Sequence, residues 1–358
     1  MTMLQRGGAE VALAGFHRTA TPPADVAGVA PIPLGHTADG KLAARAMSVV
    51  GRRMSAARIA ARLGPVDALM ARNLEQLAVA AAVRRHLGRV PLTYELLDIH
   101  RLLLGRKGEL LRRVEGALGA GASQLLVSSP DFVAAYVDPL SRLDLPVALV
   151  ENKLLDPPAA TPPRTDGPPW RVGLFGALRD RRSVEVLGAA AAALDGALDV
   201  VIRGRPSPAI FADLDATVAP MPHVAFAGPY RPDGLAALYG GVHFIWCIDY
   251  YEAGANSEWL LPNRLYEGGA HGAVPIARAG TATAARLADL GIGHVLDGDP
   301  QRALAAFVAA MTPERYAAMA AAVARVDRTA FVSDAAECRR LVGLVAGATI
   351  PTTHAEAA

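Results

Sequence analysis

The chain has 358 residues, of which 52% are hydrophobic, 20% charged and 5% aromatic, with a formal net charge of +2. That length exceeds what one core usually serves and predicts two domains of roughly 150–200 residues, and the composition predicts a soluble, helix-rich α/β protein, excluding a disordered or fibrous chain. The small net charge gives no reason to expect nucleic acid as a partner, no run of about 20 apolar residues offers a membrane span, and the N-terminus does not read as a signal peptide, so the cytoplasm is the expected location.

In chain order, the first half carries apolar runs at 11–16 (VALAGF), 66–71 (VDALMA), 91–97 (PLTYELL), 123–129 (SQLLVSS) and 146–151 (PVALVE), separated by alanine- and arginine-rich helical stretches. Two of those stretches are basic. Lys41, Arg45, Arg52, Arg53, Arg58 and Arg62 interleave with Leu42, Ala46, Val49, Val50, Ile59 and Leu63; Arg101, Arg106, Lys107, Arg112 and Arg113 interleave with Leu102, Leu103, Leu104, Leu110 and Leu111. Such amphipathic faces suit an anionic membrane surface, and an ordinary solvated helix face gives the same pattern. Next comes LDPPAATPPRTDGPP, where three proline pairs forbid regular helix and sheet and predict an extended linker over 156–169.

Beyond it, apolar runs resume at 170–176 (WRVGLFG), 198–204 (LDVVIRG), 223–228 (HVAFAG), 242–248 (VHFIWCI), 274–279 (VPIARA) and 293–297 (GHVLD). RPDGLAALYG reads as a short helix closed by Gly240 and Gly241, and the helix carrying Glu267 is expected to start at Asn256 or Ser257. Strands that are apolar throughout and alternate with helices predict parallel sheets covered on both faces. The domains are therefore expected at 1–155 and 170–330, with residues 331–358 as a helix packing back on the junction and a tail. Cys247, inside an apolar run, reads as a buried, inert thiol.

Ligands of open parallel sheets bind beyond the carboxyl ends of the strands. Arg179, Arg181, Arg182, Arg203, Arg205 and Arg231 follow strands of the second half and would gather at one rim. Arginine forks and helix N-termini bind phosphate oxygens, so a diphosphate fits there. Arg264 and Glu267 lie one helical turn apart in LLPNRLYEGGAHGAVPI, where the carboxylate can accept both vicinal hydroxyls of a ribose; a plain i, i+3 ion pair is the bland alternative. The Asp213/Asp215 and Asp297/Asp299 pairs read as turn and cap residues rather than metal ligands.

At PNRLYEGGAHGAVPI the sequence resembles the nucleotide-sugar signature of GT-B glycosyltransferases, glycosyltransferase family 4 in particular, with Arg264 on its basic position and Glu267 on its ribose-binding glutamate. VGLFGALRDRRSVEVL is similar to the family's first donor-domain strand and phosphate loop, with Arg182 near the usual basic residue and Ala177 where many members have arginine. PLTYELLDIHRLLLG resembles an acceptor-domain strand that often ends in His-Asp; here Leu97 holds the His position, Asp98 matches and His100 follows. The overall run looks like bacterial exopolysaccharide glycosyltransferases of the succinoglycan type.

The resemblance implies two Rossmann-like domains facing a cleft, a nucleotide-sugar donor on the second, a lipid-linked oligosaccharide acceptor on the first, and no metal or other cofactor. Taken with the places after strands, it gives Arg179, Arg182, Arg203, Arg264, Gly280 and Thr281 for the donor diphosphate, Glu267 for the ribose, Glu258, Asn263 and His17 for sugar, with Trp259 where the family has its second glutamate, and Asp98 or His100 as catalytic groups. The expected site of action is the cytoplasm, peripheral at the inner face of the membrane. Two other readings stay open: a nucleotide-sugar epimerase of the same fold, which needs no acceptor, and a non-catalytic sugar-nucleotide-binding scaffold, for which Leu97 and Trp259 speak.

Overall fold

A computed structural model of the chain describes residues 1–17, 19–37, 51, 54–156 and 160–348. Lys41, Arg45, Arg52 and Arg53 of the first basic stretch, with Leu42, Ala46, Val49 and Val50, lie outside the described residues, as do 157–159 of the proline-rich stretch and the tail beyond 348. The chain forms two compact units: Met1–Glu151 together with the segment from Asp334, and Asn152–Ser333.

The first unit has a parallel strand pair, β1 (Ala14–His17) with β2 (Ile32–His36), and a four-stranded parallel sheet of β3 (Leu69–Arg72), β4 (Leu92–Leu96), β5 (Gln124–Val127) and β6 (Val147–Leu149) in that order. β4 and β5 are buried at every position, as strands covered on both faces must be. Proline-containing β2 was not expected from the sequence; Pro33 is tolerated because a strand of a two-stranded sheet is an edge. The helix Ala335–Val345, capped by the Asp334 carboxylate at Glu337 N (2.7 Å), buries Leu341, Leu344 and Val345 against Leu126, Ala148 and Val150.

Behind this sheet the helix Glu109–Gly119 carries a sealed polar network. Glu115 is 0% exposed; Tyr94 Oη donates to its Oε1 at 2.8 Å and Tyr136 Oη to its Oε2. Arg112, read from sequence as part of a basic solvated face, is buried instead. Its guanidinium donates to the Leu103 and Gly105 carbonyls at 2.5 and 3.0 Å and to Glu109 at 2.9 Å, holding the preceding turn. The solvent face of the same helix presents Leu110 (70% exposed), Arg113 and Val114 (43%).

The second unit is a six-stranded parallel sheet: β7 (Trp170–Leu178), β8 (Leu198–Pro206), β9 (Val224–Phe226), β10 (Phe244–Trp246), β11 (Val274–Arg278) and β12 (His294–Leu296). Their spatial order is β9-β8-β7-β10-β11-β12, so strand order reverses between β7 and β10 and opens a crevice at their carboxyl ends. There β7 and β8 close up at a glycine pair: Gly204 has φ +146°, and a β-carbon on it would collide with the Gly176 carbonyl.

Two expectations change in this unit. The proline-rich stretch is not a bare connection. Its described residues belong to the second unit, where the Thr165 carbonyl accepts from His243 Nε2 at 2.8 Å and Arg164 Nε donates to the Val242 carbonyl at 2.7 Å. The helix expected from Asn256 through Glu267 is two helices, Asn256–Trp259 and Asn263–Ala270, because Pro262 is extended (φ −74°, ψ 146°) and disfavours helical backbone at the residue before it.

Candidate functional site

At the carboxyl end of β7 the chain turns through Arg179 and Asp180 into the helix Arg181–Ala193. The Asp180 carboxylate caps that helix at Ser183 N (3.2 Å) and also accepts from Tyr250 N (3.1 Å), so the loops after β7 and β10 are tied together. A second tie runs beside it. Arg179 Nη2 donates to Asp249 Oδ2 at 3.0 Å, Tyr251 N donates to Asp249 Oδ1 at 2.9 Å, and the Arg179 guanidinium lies 4.8 Å from the Tyr251 ring centroid. Arg182 lies 4.5 Å over the Tyr250 ring and is exposed.

Glu267 stands on the short helix that follows. Gly268 and Gly269 serve the core: a β-carbon on Gly268 would be 2.6 Å from Ile245, and one on Gly269 would enter the Phe331 ring. Gly268 lets the helix lie directly on β10, and Gly269 makes room for Phe331. Glu267 Oε2 accepts from Tyr239 Oη at 2.6 Å, and its Oε1 has no protein hydrogen-bond partner among the described residues. Burial pushes the carboxyl above the usual glutamate range, while the Tyr239 hydrogen bond and the Arg264 charge pull it down. Arg264 forms no ion pair with Glu267; its Nη2 donates to the Ile248 carbonyl at the end of β10, at 3.2 Å. Tyr230 belongs to the same cluster. Burial first and the Glu267 charge second push its phenol up to about 12, against the lowering effect of Arg264.

The other predicted donor residues stand on several elements of the same unit. Thr281 caps the helix Ala282–Leu290 at Ala284 N (3.2 Å), with Gly280 before it at φ +75° in open space, so this helix N-terminus opens at the end of β11. Glu258 accepts from Gly254 N (3.1 Å) and Arg278 Nη2 (2.9 Å), both on Oε1. Arg203 is engaged with backbone: Nε donates to the Gly228 carbonyl at 3.0 Å and Nη2 to the Pro229 carbonyl at 2.8 Å, a clasp on the loop that carries Tyr230. Asn263 Oδ1 accepts from Asn152 at 2.8 Å. Asp213 and Asp299 act as helix caps, at Ala216 N and Arg302 N, and Cys247 is buried with its thiol pushed up to about 12.

The first unit holds the remaining candidates on two sheets. His17 ends β1, with Nδ1 on the Thr19 carbonyl (2.9 Å) and its ring edge-on to His36. Asp98 and His100, both exposed, follow β4. His100 Nδ1 accepts from Leu102 N at 3.2 Å, which caps a 3-10 turn and leaves the ring hydrogen of the neutral imidazole on Nε2.

Sequence reasoning missed Tyr239, Tyr230, Asp249, Arg278 and Arg164. Tyr239 ends a helix that reads as a connector, and its partner stands 28 positions on. Asp249 alone carried a signal: it is a carboxylate directly after an all-apolar strand, in DYYEAG.

No protein-family model matches the chain. The succinoglycan biosynthesis protein ExoL of Rhizobium meliloti (strain 1021) is 44% identical over 361 residues, an alignment covering 97% of this chain and 89% of that protein. Among solved structures, the sucrose-phosphate synthase of Thermosynechococcus elongatus superposes with a TM-score of 0.65 at 16% identity, covering 96% of this chain and 87% of its own. Anabaena Alr3699/HepE, solved with UDP and glucose, gives 0.60 at 16% identity over 88% and 86% of the two chains. Similarity at that identity bears on fold, whereas the match to ExoL runs along nearly the whole sequence. The chain belongs to the family of the succinoglycan biosynthesis protein ExoL and is built on the GT-B glycosyltransferase fold.

Proposed function

We propose that this protein is a glycosyltransferase that moves a sugar from a nucleotide-sugar donor, held by the second unit, to a lipid-linked saccharide acceptor in the assembly of a succinoglycan-type exopolysaccharide. The observation that carries the donor assignment is Glu267 at the strand-order reversal: one carboxylate oxygen is fixed by Tyr239 and the other is unoccupied by protein, with Arg264 one turn away. A carboxylate presented in this way accepts hydrogen bonds from a ribose diol. The HepE complex with UDP and glucose, on the same fold, supports a uridine nucleotide as the first probe.

In the reaction the acceptor hydroxyl oxygen bonds to the anomeric carbon, the bond from that carbon to the phosphate oxygen breaks with its electron pair leaving on the diphosphate, and the hydroxyl proton departs. Arg179, Arg182, Arg264 and the helix N-terminus at Gly280 and Thr281 stabilise the charge that develops on the leaving group, without a metal. Asp98 suits proton abstraction better than His100, whose Nε2 carries the ring hydrogen and therefore donates. The lipid-linked acceptor brings the protein to a membrane. Leu110 and Val114, exposed around Arg113 and following Arg106 and Lys107, fit an anionic bilayer surface, and no helix of the described residues is long and apolar enough to cross one.

Thermal stability against UDP, GDP, dTDP and their sugar conjugates tests the donor half. A ligand at about 100 times its dissociation constant adds about 2.7 kcal/mol. The expected result is a clear shift with one nucleotide that disappears in Glu267→Ala. No shift with any of them overturns the reading, and nucleotide turnover without an acceptor would point to an epimerase.

A further inference from the structure

The proline-rich stretch grips the two elements that build the donor carboxylate. Arg164 Nη2 donates to the His271 carbonyl at 2.7 Å and to the Tyr239 carbonyl at 3.2 Å, and Nε donates to the Val242 carbonyl at 2.7 Å. One guanidinium thus holds the end of the helix Leu235–Gly240 and the residue that closes the helix Asn263–Ala270. A cation at helix carboxyl ends is also favoured by their partial negative charge. Three residues earlier, Thr161 Oγ1 lies 3.0 Å from His271 Nδ1. The His271 ring stacks parallel on the Tyr239 ring, with centroids 5.7 Å apart and an interplanar angle of 2°, and Tyr239 Oη reaches Glu267. Phe175 of β7 meets Tyr239 edge-on, with ring centroids 5.1 Å apart. The fit of the stretch is close, since a β-carbon on Gly240 would be 3.0 Å from both Thr161 and Pro162.

A free interdomain linker needs none of this. We propose that residues 160–169 form a strap that sets the position of Glu267, with Arg164 as a positioning residue acting through His271 and Tyr239; the proposal rests on the reading of Glu267 as the ribose carboxylate. The contacts run in an unbroken series from strap to carboxylate, and every partner lies within the second unit. Arg164 touches no ligand in this account. Its effect is on where Oε1 of Glu267 points when a nucleotide arrives, an effect that half an ångström of drift would spoil.

Arg164→Ala, Arg164→Lys and Tyr239→Phe test it, with UDP, GDP and dTDP as binding probes and the nucleotide sugar of whichever binds as substrate. Arg164→Ala is expected to raise KM for the nucleotide sugar about tenfold with kcat within about twofold, the size of a lost charge-assisted contact. Added guanidinium should restore much of that loss, and Arg164→Lys, which keeps charge without the fork, should fall between. In Tyr239→Phe the carboxyl of Glu267 loses a bond that favours its ionised form, so the acid limb of nucleotide binding should move to higher pH, with Arg264 and Tyr230 the remaining groups around it. Combined with Glu267→Gln, Arg164→Ala should cost no further affinity. If the Arg164 variants lower Tm while KM and the acid limb stay at wild-type values, the strap only stabilises the fold and the proposal fails. A wild-type chain that binds none of the three probes defeats the donor reading itself, and the strap assignment with it.

Discussion

Glu115 of the first unit and Glu267 of the second are set in similar surroundings and left with different freedom. Each is on a helix packed against a parallel sheet, each has its carboxyl pushed up chiefly by burial, and each receives a tyrosine hydroxyl. Glu115 has a tyrosine on both oxygens and no solvent exposure, so its bonding capacity is used up inside the protein. Glu267 has a tyrosine on one oxygen only. A buried carboxylate closed on both sides fixes a core, whereas one closed on a single side keeps an oxygen able to accept from a ligand or from water. Desolvation is common to both and does not separate them.

Replacing each glutamate by alanine should separate the two most widely. Glu115→Ala leaves two buried tyrosine hydroxyls without an acceptor and a cavity beside them, an expected loss of about 3–5 kcal/mol by denaturant unfolding, with nucleotide affinity of the folded fraction unchanged. Glu267→Ala should reverse the emphasis, removing nucleotide binding while costing less stability than Glu115→Ala, since one buried tyrosine hydroxyl rather than two loses its acceptor. Equal stability losses would erase the distinction. A smaller effect is expected from Gly268→Ala, where the new methyl would press on Ile245 and lift the helix: about 1–3 kcal/mol of stability together with weaker nucleotide binding.

The smallest expected effect concerns pH. Burial raises both carboxyl pKa values, so the stability tied to each neutral acid is complete below the ordinary glutamate range and is lost as pH rises through the raised folded value. Glu267→Gln removes that loss. Its Tm should exceed the wild-type value by a few degrees at pH 8, with the gap closing at acid pH; a constant gap across the range would show that Glu267 is ordinarily solvated.

The strands were largely readable because apolar runs bounded by turn residues are a local property. β2 escaped because Pro31 and Pro33 argue against a strand unless it is known to be an edge. Arg264 and Glu267 were readable for the same local reason, being one turn apart in a short helix. The partners of that glutamate were not: Tyr239, His271 and Arg164 meet only after the sheet has formed, and prolines that forbid helix and sheet do not show whether the segment is free or docked. Arg203 illustrates the opposite error. Its expected place after a strand suggested phosphate, yet it lies within β8 and its guanidinium donates to the carbonyls of Gly228 and Pro229. The break at Pro262 was missed, although proline disfavours helical backbone at the residue before it.

The first unit is completed by the helix Ala335–Val345, which covers Leu126, Ala148 and Val150. During synthesis that helix is the last described element to leave the ribosome. The whole of Asn152–Ser333 is available to fold while the N-terminal segment still lacks its cover, reversing the usual N-terminal-first sequence. For the same reason, a recombination event that exchanged N-terminal segments between relatives at the proline-rich stretch would strand the covering helix on the wrong parent. A workable exchange has to carry two separate pieces of gene.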